Sequence, residues 1–297
     1  MEPVFFTERF HHPVREDETI ELHVTAWGKP GNPLAFCLHG LTRNGRDFDR
    51  PAQMLAEMGF YVLCPDMPGR GASDKLPHPE DYQLPIYVGI LMQWLLKLGN
   101  PSFGILGTSM GGMIAMSMAP LVPQNLTWVV LNDVGSIIDY AGLKRISAYV
   151  GEGHFHPTRE SAERIMLLNL STWALPDAEA TGHFLKHSVM HHADGRYSLA
   201  FDPAIAAAFK LAFDMLEEGQ PIDLSAFYAQ LTCPVLVVRG EKSDLLTAQT
   251  ALAMQAARPG QQTLLHTVPG AGHAPSLWDM DTLDAIKNFA QKAGQSA

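Results

Sequence analysis

The sequence predicts an α/β fold, a mostly parallel central sheet flanked by helices, and three observations carry that prediction. Short runs at 34–38, 61–64, 103–106, 128–131 and 235–238 are apolar without alternation. Strands buried on both faces read this way, as in a parallel sheet covered by helices. Stretches of helical pattern fill most of the gaps between them. Finally, Gly107-Thr108-Ser109-Met110-Gly111 directly follows the run at 103–106, and small and apolar residues follow it. That is a strand, a sharp turn with a serine at its point, and a helix.

The elements follow in order. Residues 4–10 and 19–27 alternate in polarity and add antiparallel strands at one edge. The strand at 34–38 runs into His39-Gly40-Leu41 and a polar turn of Thr42, Arg43, Asn44 and Gly45. The helix at 48–58 takes Asp49 as its N-cap, carries Pro51 in its first turn and stops at Gly59. Helices at 82–98 and 110–119 flank the strand at 103–106. After the strand at 235–238 come a helix at 247–257 closed by Pro259 and Gly260, a shorter last strand at 264–268 and a final helix at 279–293. Between 131 and 235 the patterning is helical, broken by Pro176, Gly195 and Pro203. An insertion there sits above the carboxyl ends of the strands, where open α/β sheets bind ligands. Residues 136–230 are therefore read as a helical lid, and 1–135 with 231–297 as the core.

Composition narrows the function. Of 297 residues, 46% are apolar, which is ordinary for a globular chain. Lys and Arg total 21 against 31 Asp and Glu, a formal net charge of -10. That balance argues against nucleic acid and against anionic membranes as partners. No apolar stretch reaches the ~18 residues of a membrane span, and the first residues lack the basic flank and apolar core of a signal peptide. Cys37, Cys64 and Cys233 lie in or beside apolar runs and read as buried thiols in a reducing compartment. A cytoplasmic enzyme acting on a small molecule is the expectation.

The chemistry rests on Ser109. A serine hydroxyl needs a base, and the base needs a carboxylate to fix its tautomer. His273, in Pro269-Gly270-Ala271-Gly272-His273-Ala274-Pro275, leaves the last strand at the carboxyl edge of the sheet. Asp244, on the loop leaving the strand at 235–238, is read as the acid. Asp133 also ends a strand and competes for the same histidine, with Glu241 a remote third. The backbone amides of Leu41 and Met110 are the expected oxyanion donors, placed by the turn after 34–38 and by the start of the helix after Ser109.

These motifs together resemble the α/β-hydrolase family over nearly the whole chain. The landmarks are His39-Gly40, Asp66-Met67-Pro68-Gly69-Arg70-Gly71-Ala72-Ser73, Gly107 to Gly111, Ser243-Asp244 and Gly272-His273, in that order. The resemblance implies a sheet of about eight strands with a lid after the sixth. It also implies cofactor-free catalysis by Ser109, His273 and Asp244. A serine at the elbow argues against the family's aspartate-nucleophile dehalogenases and epoxide hydrolases.

The expected function is therefore a serine hydrolase, carboxylesterase-like, acting on esters of small to medium carboxylic acids. Carbon-carbon bond hydrolysis of a β-diketone-like acid uses the same triad, and a slow-turnover receptor is the reading from another class. Arg43 is a candidate anchor for a substrate carboxylate, against the plainer reading of a pair with Asp47 or Asp49. Trp173 and Phe155 are candidate pocket walls. His183, His187 and His191 share a helical spacing, but no chemistry here requires a metal, so they read as solvated or pocket-lining. Met110 is expected at the pocket edge, with Met113 and Met116 packing their helix on the sheet.

Overall fold

A computed structural model describes residues 1–150, 155–258 and 262–294. The chain opens with β1 (Val4–His12), β2 (Arg15–Trp27) and β3 (Leu34–Leu38), followed by α1 (Asp49–Glu57) and β4 (Tyr61–Pro65). Next come α2 (Leu84–Lys97), β5 (Phe103–Thr108), α3 (Met110–Met118) and β6 (Leu126–Asn132). An inserted segment then carries β7 (Ile137–Ile138), α4 (Tyr140–Tyr149), β8 (Phe155–His156), α5 (Arg159–Leu170) and α6 (Ala178–Ser188). It continues through β9 (Val189–His191), β10 (Tyr197–Leu199), α7 (Pro203–Asp214), β11 (Ile222–Asp223) and α8 (Ser225–Tyr228). The chain returns with β12 (Val235–Gly240), α9 (Ala248–Ala256), β13 (Thr263–Val268) and α10 (Met280–Gly294).

The central sheet has 8 strands in the order β1-β2-β4-β3-β5-β6-β12-β13. The first two are antiparallel to their neighbours; from β4 to β13 every pairing is parallel. The unbroken apolar runs arise because each strand feeds two cores. Ile105, Val129, Leu131, Val235 and Val237 face the helices α2, α3 and α9. Leu106, Trp128, Val130, Leu236 and Val238 alternate to the other face, against α1 and α10. β1 and the outer part of β2 leave a face in solvent, which is why their sequences alternate.

Two expectations change in detail. Asp49 is the first helical residue of α1 and its carboxylate binds Arg46, while the preceding Phe48 offers no side-chain cap. The expected stop of α9 at Pro259 and Gly260 lies outside the described residues. The inserted segment is not purely helical either: β8, β10 and β9 form a small antiparallel sheet, and β7 pairs with β11 where the segment leaves and rejoins the core. Strands this short carry too few residues for an alternating pattern to stand out. No helix among the described residues is long and apolar enough to cross a membrane.

Candidate active site

Ser109 sits between β5 and α3 with φ 51° and ψ −112°, a backbone region that costs a non-glycine residue roughly 1–3 kcal/mol. The turn is tight enough to exclude side chains on both sides. A Cβ on Gly107 would lie 2.5 Å from the Gly111 carbonyl, and one on Gly111 would lie 1.9 Å from the Leu38 carbonyl oxygen. The Ser109 amide is spent on the Asn132 carbonyl at 2.9 Å, which pins the elbow to the end of β6.

His273 comes to the serine from the loop after β13. Its Nε2 lies 3.0 Å from Ser109 Oγ, and its Nδ1 lies 2.8 Å from Asp133 Oδ2. An ionised carboxylate only accepts, so Nδ1 carries the proton and donates to Asp133. Nε2 is then the acceptor for the Ser109 hydroxyl, the arrangement a general base requires.

The acid is thus placed differently from the sequence reading, and the Asp244 assignment is corrected. Asp244 is forked by Arg145 of α4, with Nε at 2.5 Å and Nη2 at 2.8 Å, while His273 Nδ1 is taken by Asp133. Burial pushes the Asp244 carboxyl up, but the Arg145 hydrogen bonds and charge outweigh it and hold its pKa below the ordinary value. Asp133 is fully buried and sits at φ 53°. It accepts from the Gly240 amide at 2.7 Å and from Ser243 Oγ at 2.6 Å, besides His273. The β12 loop therefore does reach the acid, but through Ser243 and Gly240. Glu241 instead binds the Gly270 amide.

Two further residues hold this arrangement, and sequence reasoning missed both roles. Asn132, fully buried, donates through Nδ2 to Thr108 Oγ1 and to the Pro275 carbonyl, each at 3.0 Å. With its own carbonyl on the Ser109 amide, it ties the elbow, the acid turn and the histidine loop together. Its Oδ1 is buried without a partner among the described residues, so the side chain acts through its donors. Arg70 is 1% exposed and has no carboxylate at ion-pair distance among the described residues. It donates to the Leu41 carbonyl at 2.8 Å, to the Pro68 carbonyl and Tyr87 hydroxyl at 2.7 Å, and to Met110 Sδ at 3.4 Å. Arg70 thus grips both residues whose amides were expected as oxyanion donors. Gly40 adjoins the nucleophile, with room for a Cβ 3.8 Å from that of Ser109. His39 accepts from the Met67 amide at 2.8 Å and donates from Nδ1 to the Gly40 carbonyl at 2.7 Å. Burial, then the nearby Arg70 charge, pushes its pKa down to about 4.

A cavity of about 420 Å³ opens over Ser109 and His273. Leu41, Thr42 and Arg43 line its core side, and Arg145, Ile146, Met166, Asn169 and Trp173 line it from the inserted segment. Trp173 is therefore a wall of this cavity, and it also meets Phe184 edge-on. Arg43 is committed elsewhere: Nε and Nη2 fork Asp47 at 2.8 and 2.6 Å, and Nη1 reaches Ser188 Oγ at 2.7 Å. The plainer reading of Arg43 is the one observed. Phe155 lies under Arg196, 4.2 Å from its ring centre, and is not among the lining residues. Nor is Met110, which faces Arg70; Met116 is buried in the core against α3's neighbours and Met113 is partly buried there.

The histidine row does not form. His183 and His187 lie on α6, but His191 belongs to β9 and stacks on Tyr197. No group of three or more potential metal ligands exists among the described residues. All three cysteines are buried free thiols.

Comparison with known proteins agrees with the fold. The family model described as "Alpha/beta hydrolase family" matches residues 35–284. The chain is 35% identical over 260 residues to a 3-hydroxybutyrate-oligomer hydrolase from Cupriavidus necator, covering 85% of this chain and 87% of that one. It is 26% identical over 267 residues to a 2-(acetamidomethylene)succinate hydrolase from Mesorhizobium japonicum, covering 88% and 89%. A solved α/β hydrolase from Novosphingobium aromaticivorans superposes with a TM-score of 0.81 at 34% identity, covering 97% of this chain and 98% of that one. With the family model spanning most of the sequence and the sheet order and serine elbow in place, the chain is a hydrolase belonging to the α/β-hydrolase family.

Proposed function

We propose that this chain is a serine ester hydrolase acting on esters of small to medium carboxylic acids. The observation that carries this reading is the hydrogen-bonded series Ser109–His273–Asp133 on the floor of the cavity. Ser109 Oγ attacks the ester carbonyl carbon while His273 Nε2 takes its proton. The amides of Leu41 and Met110 receive the oxyanion. His273 then protonates the leaving alkoxide and activates water to release the acid from Ser109. Asp133 stays ionised and steadies the imidazolium. Residues 136–230 act as the lid that walls the cavity, which favours discrete molecules over long polymers.

The 3-hydroxybutyrate-oligomer hydrolase to which the chain is similar points to short esters of hydroxy acids as the substrates to try first. The carbon-carbon hydrolase reading leaned on Arg43 as an anchor, and the Asp47 fork takes that support away. The test is initial rates on p-nitrophenyl esters from acetate to decanoate and on the linear dimer of 3-hydroxybutyrate, with Ser109→Ala alongside. Hydrolysis lost by at least ~10³-fold in the variant supports the reading. Absence of turnover on every ester, or turnover that survives in Ser109→Ala, overturns it.

A further inference from the structure

The loop that delivers His273 is held from two sides. On the core side, the Ala271 carbonyl accepts from the Lys242 amide at 2.7 Å, and the Pro275 carbonyl accepts from Asn132 Nδ2 at 3.0 Å. On the other side stands the turn after α5, in the inserted segment. There the Gly272 amide donates to the Thr172 carbonyl at 2.6 Å, and the Ser276 amide donates to the Trp173 carbonyl at 3.0 Å. Gly272 and Ser276 are both buried, and a buried amide left without an acceptor is strongly disfavoured. Two neighbouring carbonyls of the insertion therefore hold the chain on both sides of the base.

The packing is equally close. The three atoms nearest to a Cβ placed on Gly272 all belong to Thr172, the first being its own Cβ at 3.1 Å. A glycine at this position lets the two segments meet. Further along, Trp278 is 3% exposed and packs into a cluster otherwise formed, among the described residues, by the insertion, including Met166, Leu170, Ala180 and Phe184. Its ring lies 5.1 Å from that of Phe184, and its Nε1 donates to the Asp47 carbonyl at 2.8 Å. Trp173, whose carbonyl takes the Ser276 amide, is also a wall of the cavity. One turn thus borders both the cavity and the loop that carries the base.

We infer that Thr172 and Trp173 are positioning residues for His273: they clamp its loop from the insertion, and Nε2 stays within reach of Ser109 Oγ only while that segment is seated. The inference rests on the serine ester-hydrolase reading and extends it to the insertion. Asp133 fixes the tautomer through Nδ1, whereas the backbone bonds fix where the ring stands. The base acts through a single hydrogen bond of 3.0 Å, and misplacing such a group by about 1 Å costs on the order of 10²-fold in rate.

The test drives a wedge into this contact. Gly272→Ala and Gly272→Val set a small and a larger side chain against Thr172. On p-nitrophenyl butyrate, kcat is expected to fall in that order, by roughly 10–100-fold in Gly272→Val, with KM changed less. The rate at which a fluorophosphonate labels Ser109 is expected to fall by a similar factor. Adding Thr172→Gly removes the side chain that the wedge strikes and keeps the carbonyl, and is expected to restore most of both losses. A Gly272→Val protein that is folded by circular dichroism, with kcat and labelling within twofold of wild type, overturns the clamp. So does a loss that Thr172→Gly leaves unrelieved. Amide hydrogen exchange of the wild type needs no variant to fold: the Gly272 and Ser276 amides are expected to open together with those of α5 as urea is added below the unfolding transition. Opening with β12 and β13 instead overturns the clamp. A wild type labelled at Ser109 but without turnover on any ester overturns the ester-hydrolase reading alone, and the labelling rates then decide the clamp. A wild type that is not labelled at Ser109 overturns both.

Discussion

Exchanging the two aspartates one at a time separates the acid of the triad from its neighbour. In Asp133→Asn the amide replaces a carboxylate that accepts from Gly240, Ser243 and His273. An amide offers one accepting oxygen and two donors. Either the amide oxygen faces Gly240 and its N–H groups meet His273, forcing the wrong tautomer, or the Gly240 amide loses its acceptor. Loss of the tautomer in a serine triad costs about 10³–10⁴ in kcat, or about 4–5.5 kcal/mol. Asp244→Asn breaks only a fork with Arg145 whose members are 36% and 42% exposed, and pairs at such exposure contribute roughly 0.2–1 kcal/mol. Its kcat on a neutral p-nitrophenyl ester is expected to exceed that of Asp133→Asn by at least a hundredfold. Steady-state rates on p-nitrophenyl butyrate, with circular dichroism to confirm folding, make the measurement. A thousandfold loss in Asp244→Asn with a folded, active Asp133→Asn would refute the assignment.

Other outcomes follow from the residues around the triad. Asn132→Leu keeps the side-chain bulk and removes both donors; misplacement of this kind is expected to lower kcat about 10–100-fold with a smaller change in KM, read from Michaelis–Menten kinetics. Arg70→Gln removes the buried charge and slackens its hold on the Leu41 carbonyl. It is expected to weaken inhibition by a boronic acid, whose tetrahedral adduct mimics the oxyanion, in parallel with kcat/KM. His39 provides the pH dependence of stability. Its pKa is about 4 when folded and about 6.5 when unfolded, so only the unfolded chain takes up the proton as pH falls between those values. Stability is unaffected above about pH 6.5 and lost progressively below it, by about 2 kcal/mol at pH 5. His187, whose pKa burial pushes down to about 3, acts in the same direction. Urea denaturation at pH 7 and pH 5 measures the loss, which is expected to shrink in His39→Gln.

Much of the fold was legible because its signals are local. Apolar runs without alternation marked the strands that feed both cores, and Gly107 is required by its contact with Gly111 within the turn at Ser109, although Gly111 is required by the Leu38 carbonyl of the neighbouring β3. The acid was not legible. β6 and β12 are neighbours in the sheet and both end in an aspartate-bearing loop, so chain order alone leaves Asp133 and Asp244 equally placed. What separates them is an interaction across the molecule, Arg145 drawing Asp244 toward α4 while Ser243 turns to Asp133. The same holds for Asn132 and Arg70, whose partners lie 143 and 29 positions away at Pro275 and Leu41. Arg43 was legible only as a choice between an anchor and a pair with Asp47 or Asp49, and the fork to Asp47 decides it.

The proposed mechanism requires Ser109 as the nucleophile. Treating the folded protein with a fluorophosphonate and sequencing the modified peptides by mass spectrometry tests this directly. The predicted result is one phosphonyl adduct, on the peptide containing Ser109, absent in Ser109→Ala and formed at least a hundredfold more slowly in His273→Ala. An enzyme that hydrolyses esters yet carries no adduct at Ser109, or carries it on another residue, would contradict the mechanism.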